Sequence, residues 1–368
     1  EVNFMRKICF VSGLIARSGG TERVGSIIAN SLSKARYDVF LLSFWNQGKP
    51  YFHLEDEVHV HYLLNHKIEG KFYRTGIYPI IKLHRFIQNN DIDIIVDIDT
   101  VLSRHSAYAI RGTKCKLISW EHFNYWTMLR LKEARRFRAK KLIKKYATEL
   151  VVLTEQDREA HIKHLGFDEN LITAIPNPCM EVQDSVYDFD KKIFLSIGRL
   201  TPPKGYDWLL EAWSRIENYI PDWKLRIVGS GEDEIKLKKQ KDDLRLQNVE
   251  FIPHTTDVGK YYSTASAYVL SSRYEGFPMV LLEAEVYGLP IIAFDCKTGP
   301  HDLVCNGENG FLVDEANIQK LANSMLDFTK DKERADRMSQ KSRSFVKRFK
   351  LNSVTLQWVG LIEAILNN

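Results

Sequence analysis

The sequence predicts an α/β protein built from two doubly wound, Rossmann-like domains in tandem. Three observations predict it. The chain has 368 residues, and about 150 residues per domain is usual, so two domains are expected. Short β-branched runs alternate with helix-length amphipathic segments almost from end to end, the pattern of βαβ units stacked into parallel sheets. Apolar residues make up 44% and charged residues 27% of the chain, which argues against disorder, collagen-like repeats and a coiled coil. No apolar run approaches the roughly eighteen residues that span a bilayer, so no integral membrane segment is expected.

In the first half, strands are expected near residues 7–12, 37–43, 58–62, 92–98, 116–120 and 150–153, with helices near 22–33 and 80–88. Met5 reads as the natural start, so this domain is placed at 5–178. Ile175-Pro176-Asn177-Pro178 opens a stretch whose prolines disfavour helix, and the polar residues 179–190 read as an interdomain linker. A second domain, 191–350, should hold strands near 192–197, 224–228, 249–252, 267–270 and 291–294, with helices near 206–216, 258–263 and 279–287. Helical patterns follow near 318–328, 332–349 and 354–366. The last has an apolar stripe including Leu356, Val359, Leu361, Ile362 and Ile365, so residues 351–368 are expected to pack back toward the first domain. Strand ends of the two domains should face a shared cleft, where open α/β sheets bind ligands.

The five cysteines are scattered, with no C-x-x-C pair, which fits a reducing cytosol. Residues 1–180 carry 27 Lys and Arg against 19 Asp and Glu, whereas 181–368 carry 25 against 28. The basicity belongs to the first half, which is expected to meet something anionic.

The most informative segment is Tyr274-Glu275-Gly276-Phe277-Pro278-Met279-Val280-Leu281-Leu282-Glu283-Ala284, which follows a strand and opens a helix. With Pro278 at the first helical position, the N–H groups of Met279 to Leu281 would be free to hold a diphosphate. Glu275 and Glu283 could then reach hydroxyls on either side of it, as in a sugar nucleotide. The alternative is one acidic residue favoured by the helix dipole and one unrelated surface glutamate. A second element, Gly198-Arg199-Leu200-Thr201-Pro202-Pro203-Lys204-Gly205, runs from a strand end through a loop. Arg199 and Lys204 could neutralise a diphosphate without a metal, against the alternative of two solvated loop cations.

On these residues the chain resembles the retaining glycosyltransferases of family 4, which resemble one another in a GT-B fold of two Rossmann-like domains facing a central cleft. The resemblance rests on Glu275 and Glu283, on G-R-L-x-x-x-K at Gly198 to Lys204, on V-G-S-G-E at Val228 to Glu232, and on Gly19-Gly20-Thr21-Glu22-Arg23 after the first strand. It implies transfer of a hexosyl or N-acetylhexosaminyl unit, with retention, from a UDP-sugar to a glycan or polyprenyl-linked acceptor in bacterial-type surface glycan assembly. Arg199 and Lys204 would bind the diphosphate, Glu275 the transferred sugar and Glu283 the ribose. Gly19, Gly20, Gly229, His254, Gly276, Phe277, Pro278, Met279 and Val280 would complete the donor site. The departing phosphate would take the acceptor proton.

His122, beyond a strand end of the first domain, is a candidate for a hydroxyl of the donor sugar, and Asp99 for orienting the acceptor. Asp97-Ile98-Asp99 has the spelling of a metal-holding pair, but a metal is redundant if two cations neutralise the phosphates, so no metal or other cofactor is expected. Arg130, Arg135, Arg136, Arg138, Lys140, Lys141, Lys144 and Lys145 follow Trp120, Phe123, Tyr125 and Trp126. That row suits an anionic membrane surface or a lipid pyrophosphate, and a cytoplasmic, peripheral location follows; a solvated helix face is the plainer reading. No nucleic-acid module accompanies it. Two rivals remain: a sugar-nucleotide epimerase or hydrolase on the same fold, and a non-catalytic sugar-nucleotide or membrane-binding module.

Overall fold

The computed structural model describes residues 5–64, 76–179, 181 and 186–367. The chain divides into two compact units, Glu1–Pro178 with Leu351–Asn368, and Cys179–Lys350.

In the first unit the described strands are β1 (Lys7–Ser12), β2 (Asp38–Trp45), β3 (His59–Leu64), β4 (Ile94–Asp97), β5 (Lys116–Trp120), β6 (Glu149–Val152) and β7 (Ile172–Ala174). They pair in parallel in the order β3-β2-β1-β4-β5-β6-β7. β1, β4 and β6 are apolar and buried nearly throughout, as strands covered on both faces must be. β7 was not expected from the sequence: three residues on a sheet edge, half-buried, carry too little apolar pattern to announce a strand.

Helices cover the sheet, among them Gly20–Lys34, Ile77–Asn90, Ser103–Ala109, Ala134–Tyr146 and Glu155–Leu165. The last is written in local chemistry: the Thr154 hydroxyl accepts from the Asp157 N–H, and Gly166 ends the helix in the left-handed conformation.

The C-terminal helix Leu351–Asn367 belongs to this unit. Its Trp358 ring stands edge-on to Trp120, with centroids 4.8 Å apart, and Glu363 accepts from the Tyr37 hydroxyl at 2.6 Å. The buried face is Val354, Thr355, Trp358, Ile362 and Ile365. Leu356, expected in the apolar stripe, is 70% exposed, because burying the indole of Trp358 removes more apolar surface and turns the helix accordingly.

In the second unit the strands are β8 (Ile193–Ile197), β9 (Lys224–Val228), β10 (Val249–Ile252), β11 (Ala267–Leu270), β12 (Ile291–Asp295) and β13 (Gly310–Asp314). Their order is β10-β9-β8-β11-β12-β13. β13, another edge strand, was not expected from the sequence. One core cluster gathers Phe194, Trp213, Trp223 and Phe328 beneath the sheet. Expected helix 332–349 is α-helical over Lys332–Phe345 and tightens to a 3₁₀ turn at Val346–Phe349.

In both all-parallel sheets the strand order reverses once, between β1 and β4 and between β8 and β11. At such a switch point the connections leave to opposite faces of the sheet, and the strand ends open a crevice. Among the described residues no helix is long and apolar enough to cross a membrane.

Candidate active site

At the switch point of the second sheet, β8 and β11 lie side by side in parallel, with Ala267 opposite Phe194 and Tyr268 opposite Leu195. Their C-terminal ends release loops 198–205 and 271–278 on the same edge of the sheet. The loops are stitched together. The Ser271 hydroxyl donates to the Lys204 carbonyl at 3.0 Å and the Arg273 N–H to the Pro203 carbonyl at 2.8 Å. Arg273 also forms a bidentate pair with Asp207 at 2.9 and 2.6 Å and lies over the Trp208 ring at 3.9 Å.

This stitching sets Lys204 Nζ 2.7 Å from Glu275 Oε1, which also accepts from the Ser272 hydroxyl at 2.6 Å. Glu275 is 10% exposed at its side chain and Lys204 28%. Arg199 is exposed on the same loop as Lys204. An ammonium and a carboxylate thus meet at one strand edge, on loops that also carry an exposed guanidinium, a set suited to a polyphosphate bearing a hydroxylated group.

The helix after Glu275 runs from Met279 to Val286. Pro278 caps it and does not occupy its first turn as expected; the Leu281 N–H donates to the Pro278 carbonyl at 3.0 Å. The helix N-terminus therefore presents the amides of Met279 and Val280, one fewer than the sequence predicts. Glu283 is buried and accepts from the Tyr262 hydroxyl at 2.7 Å. Phe277 was expected beside the donor; its ring is buried against that of Phe349, with centroids 5.5 Å apart. The Gly276 carbonyl accepts from the Thr298 hydroxyl at 3.0 Å.

Gly229 has a concrete reason to be glycine. Its φ is +149°, and a Cβ there would sit 1.9 Å from the Gly198 carbonyl oxygen. The V-G-S-G-E turn can thus lie against the loop bearing Arg199 only without a side chain. Ser230 accepts from the His254 N–H at 3.1 Å, and the His254 side chain is exposed.

In the first unit Gly19 caps the helix Gly20–Lys34, and a Cβ on Gly20 would meet nothing within 4 Å. His122 follows β5. Burial and the nearby Arg136 cation push its imidazole down to about 4, outweighing the opposing pull of Glu121, so the ring is neutral at pH 7. Its Nε2 is buried without a hydrogen-bond partner among the described residues.

Arg136 and Lys140 must be removed from the membrane-facing row. Both are buried, at 6% and 2% exposure. Arg136 pairs with both oxygens of Asp99 at 2.9 Å and with Glu121 at 2.9 Å, while Lys140 Nζ lies 2.6 Å from Glu121. The cause is helical spacing: residues 136, 139, 140 and 143 share the inward face of Ala134–Tyr146. The acids absent from that helix are supplied by the ends of β4 and β5. Asp99 is therefore held by Arg136, and it also accepts from the Val101 N–H at 3.0 Å. Lys144 donates to the Leu165 carbonyl at 2.9 Å. Arg130, Arg135, Arg138, Lys141 and Lys145 are exposed.

Comparison with known proteins gives the family. Residues 18–179 match the model described as Glycosyltransferase Family 4, and residues 181–345 match that described as Glycosyl transferases group 1. An uncharacterised glycosyltransferase of Haemophilus influenzae is 34% identical over 97% of this chain and 100% of its own. The chain belongs to the group 1 glycosyltransferases. A UDP-Gal:α-D-GlcNAc-diphosphoundecaprenol α-1,3-galactosyltransferase of Escherichia coli is 27% identical over 69% of this glycosyltransferase and 70% of its own length. Among solved structures, an Anabaena protein, HepE, in complex with UDP and glucose is 20% identical, with a TM-score of 0.82 over 97% of this glycosyltransferase and 99% of that chain. That likeness shows the GT-B fold.

Sequence reasoning missed several residues that hold the second unit's loops of this glycosyltransferase together, Ser271, Ser272, Arg273 with Asp207, Tyr262 and Thr298, and in the first unit it missed Glu121 as the partner of Arg136 and Lys140. Ser271-Ser272-Arg273 stands immediately after a strand and before Glu275, a signal that could have been read. Asp207 and Tyr262 carried none, since each meets its partner only through the tertiary fold.

Proposed function

We propose that this glycosyltransferase moves a hexosyl or N-acetylhexosaminyl unit from a UDP-sugar to a glycan or lipid-linked acceptor, with retention of configuration, in the assembly of a bacterial-type surface glycan. The observation that carries the reading is the pairing of Lys204 with Glu275 at one strand edge, between the loop that bears exposed Arg199 and the loop that leads into the Met279–Val286 helix. The Escherichia coli relative is named for a UDP-Gal donor and a diphosphoundecaprenol acceptor, and the Anabaena neighbour was solved with UDP and glucose.

In this reading Arg199, Lys204 and the amides of Met279 and Val280 bind the diphosphate, assisted by the turn at Gly229. Glu275 holds the transferred sugar and Glu283 the ribose, with His254 beside the base. Neutral His122 contacts a sugar hydroxyl, Asp99 lies on the acceptor side, and Gly19 and Gly20 offer main-chain amides. The bond from the anomeric carbon to the diphosphate oxygen breaks, and its electron pair leaves with UDP. The acceptor oxygen bonds to that carbon from the same face, and its proton passes to the departing phosphate. Fixed positive charge stabilises the developing anion, so no metal or cofactor is assigned a role. The enzyme would work peripherally at the cytoplasmic face of a membrane.

Screening UDP-, GDP- and ADP-sugars for protection against thermal unfolding tests the donor, with UDP-sugars expected to give the largest shift. Product analysis then separates the rivals. Conversion of donor alone into an epimer or free sugar would identify an epimerase or hydrolase, and tight donor binding with no transfer to extracted lipid or glycan would identify a binding module.

A further inference from the structure

Three neighbouring helices of the first unit, Ile77–Asn90, Ser103–Ala109 and Ala134–Tyr146, contain no aspartate or glutamate, and neither does the turn 110–114. The outer surface they share carries exposed apolar side chains. Ile77 is 66% exposed and Ile81, one turn on, 41%; Tyr78 and Tyr108 are each 39% exposed. Ile77, Ile80, Tyr108 and Arg111 line a single open depression. The Tyr108 ring lies 5.8 Å from that of Tyr146, which Arg111 and Lys145 flank at 5.8 and 5.1 Å. Lys82 Nζ lies 5.3 Å from the Tyr78 ring. Isoleucines beside tyrosines, ringed by cations and with no acid on any of the three helices, form a surface that water solvates poorly and an anionic interface solvates well.

We propose that this surface, centred on Ile77, Ile81, Tyr108 and Arg111, is where the enzyme docks on an anionic lipid bilayer. It rests on the peripheral-membrane part of the function proposed above, and it moves the contact away from the helix face of Arg136 and Lys140, which is spent on internal ion pairs. The isoleucines enter the acyl boundary, the tyrosine hydroxyls stay at headgroup level, and Arg111, Lys114 and Lys145 meet lipid phosphates. A protein partner would need acids placed opposite these cations, whereas a bilayer needs only surface charge. The absence of any acid on the three helices favours the bilayer.

The test is co-sedimentation of the full chain with vesicles of phosphatidylglycerol and phosphatidylcholine, against phosphatidylcholine alone, at low and high salt. Wild type should bind the anionic vesicles and release as salt rises. Ile77→Ser with Ile81→Ser and Tyr108→Ser, and separately Arg111→Gln with Lys114→Gln, should each weaken vesicle binding about tenfold or more. Both variants should bind UDP calorimetrically as wild type does, which reports on fold and donor site independently. Lys236→Gln with Lys239→Gln, exposed in the second unit, should change vesicle binding less than twofold. Equal binding to both vesicle types, variants that bind like wild type, or a matching loss in the Lys236/Lys239 control would overturn the proposal while leaving the donor assignment standing. Concentration-dependent dimerisation of wild type that the isoleucine variant abolishes would assign the surface to a second copy and also overturn it. Failure of wild type to bind UDP would instead strike the proposed function and leave this surface intact.

Discussion

Lys204 and Glu275 are 71 positions apart in the chain and 2.7 Å apart in space. The pair exists because β8 and β11 are neighbours in the sheet, so a loop near the start of the second unit meets one past its middle. A diphosphate entering here would compete for the lysine, and a sugar hydroxyl for the carboxylate.

Glu275→Gln removes the charge while keeping an acceptor for Ser272. Transfer should fall by about a hundredfold or more. Because the Glu275 side chain is only 10% exposed while the amide keeps the Ser272 bond, stability should fall by about 1–3 kcal/mol. Rates within a few-fold of wild type would remove Glu275 from the mechanism.

Arg199 is exposed, so Arg199→Ala should leave the melting temperature where it is. UDP affinity measured by calorimetry should drop about tenfold, as expected for losing one charge-assisted contact. Unchanged affinity would place the diphosphate elsewhere.

Gly229→Ala would force a Cβ to within 1.9 Å of the Gly198 carbonyl oxygen at a φ of +149°. We expect a loss of about 2 kcal/mol or more in urea unfolding, with UDP affinity falling as well because the loop of Arg199 is displaced. Gly20→Ala, where nothing lies within 4 Å, is the matched control and should fold normally.

Arg136→Ala would take one of two cations from buried Glu121, leaving it Lys140, and the bidentate partner from Asp99. Glu121 is buried, which alone would raise its pKa, but Lys140 and Arg136 hold it well below its ordinary value. Stability from this carboxylate is therefore present above the ordinary value of 4.5 and lost as pH falls through the folded one. Removing Arg136 should cost about 3–5 kcal/mol at neutral pH, and the deficit should shrink below pH 4.

Asp97 has the opposite sign. Burial raises it from 3.8 to about 7, against hydrogen bonds from Ser106 and Ser103. The folded state keeps a proton that the unfolded chain releases, so stability is full below the ordinary value and declines as pH rises toward 7. Asp97→Asn should flatten that decline in denaturant unfolding measured across this window.

How much of this was legible varied with the range of the interaction. The pattern of central strands such as β1, β4 and β12 was readable because burial on both faces writes nearly continuous apolar runs. Edge strands β7 and β13 were not, since half-exposed strands share composition with loops. The glutamate pair at Glu275 and Glu283 could be found because helix and strand signals bracket it. Pro278 was misplaced by one position, since a cap and a first turn differ in backbone geometry and not in residue type.

The sequence by itself determined the alternation of strand and helix, the basic bias of the first half, and which residues could handle a phosphate, because these are properties of neighbours along the chain. Only the tertiary structure decided which charges are spent. It turned Arg136 and Lys140 inward onto Asp99 and Glu121, set Lys204 against Glu275, and left Ile77, Ile81 and Tyr108 outside. The reason is that burial and ion pairing depend on distances in space, which sheet order sets and sequence separation does not encode.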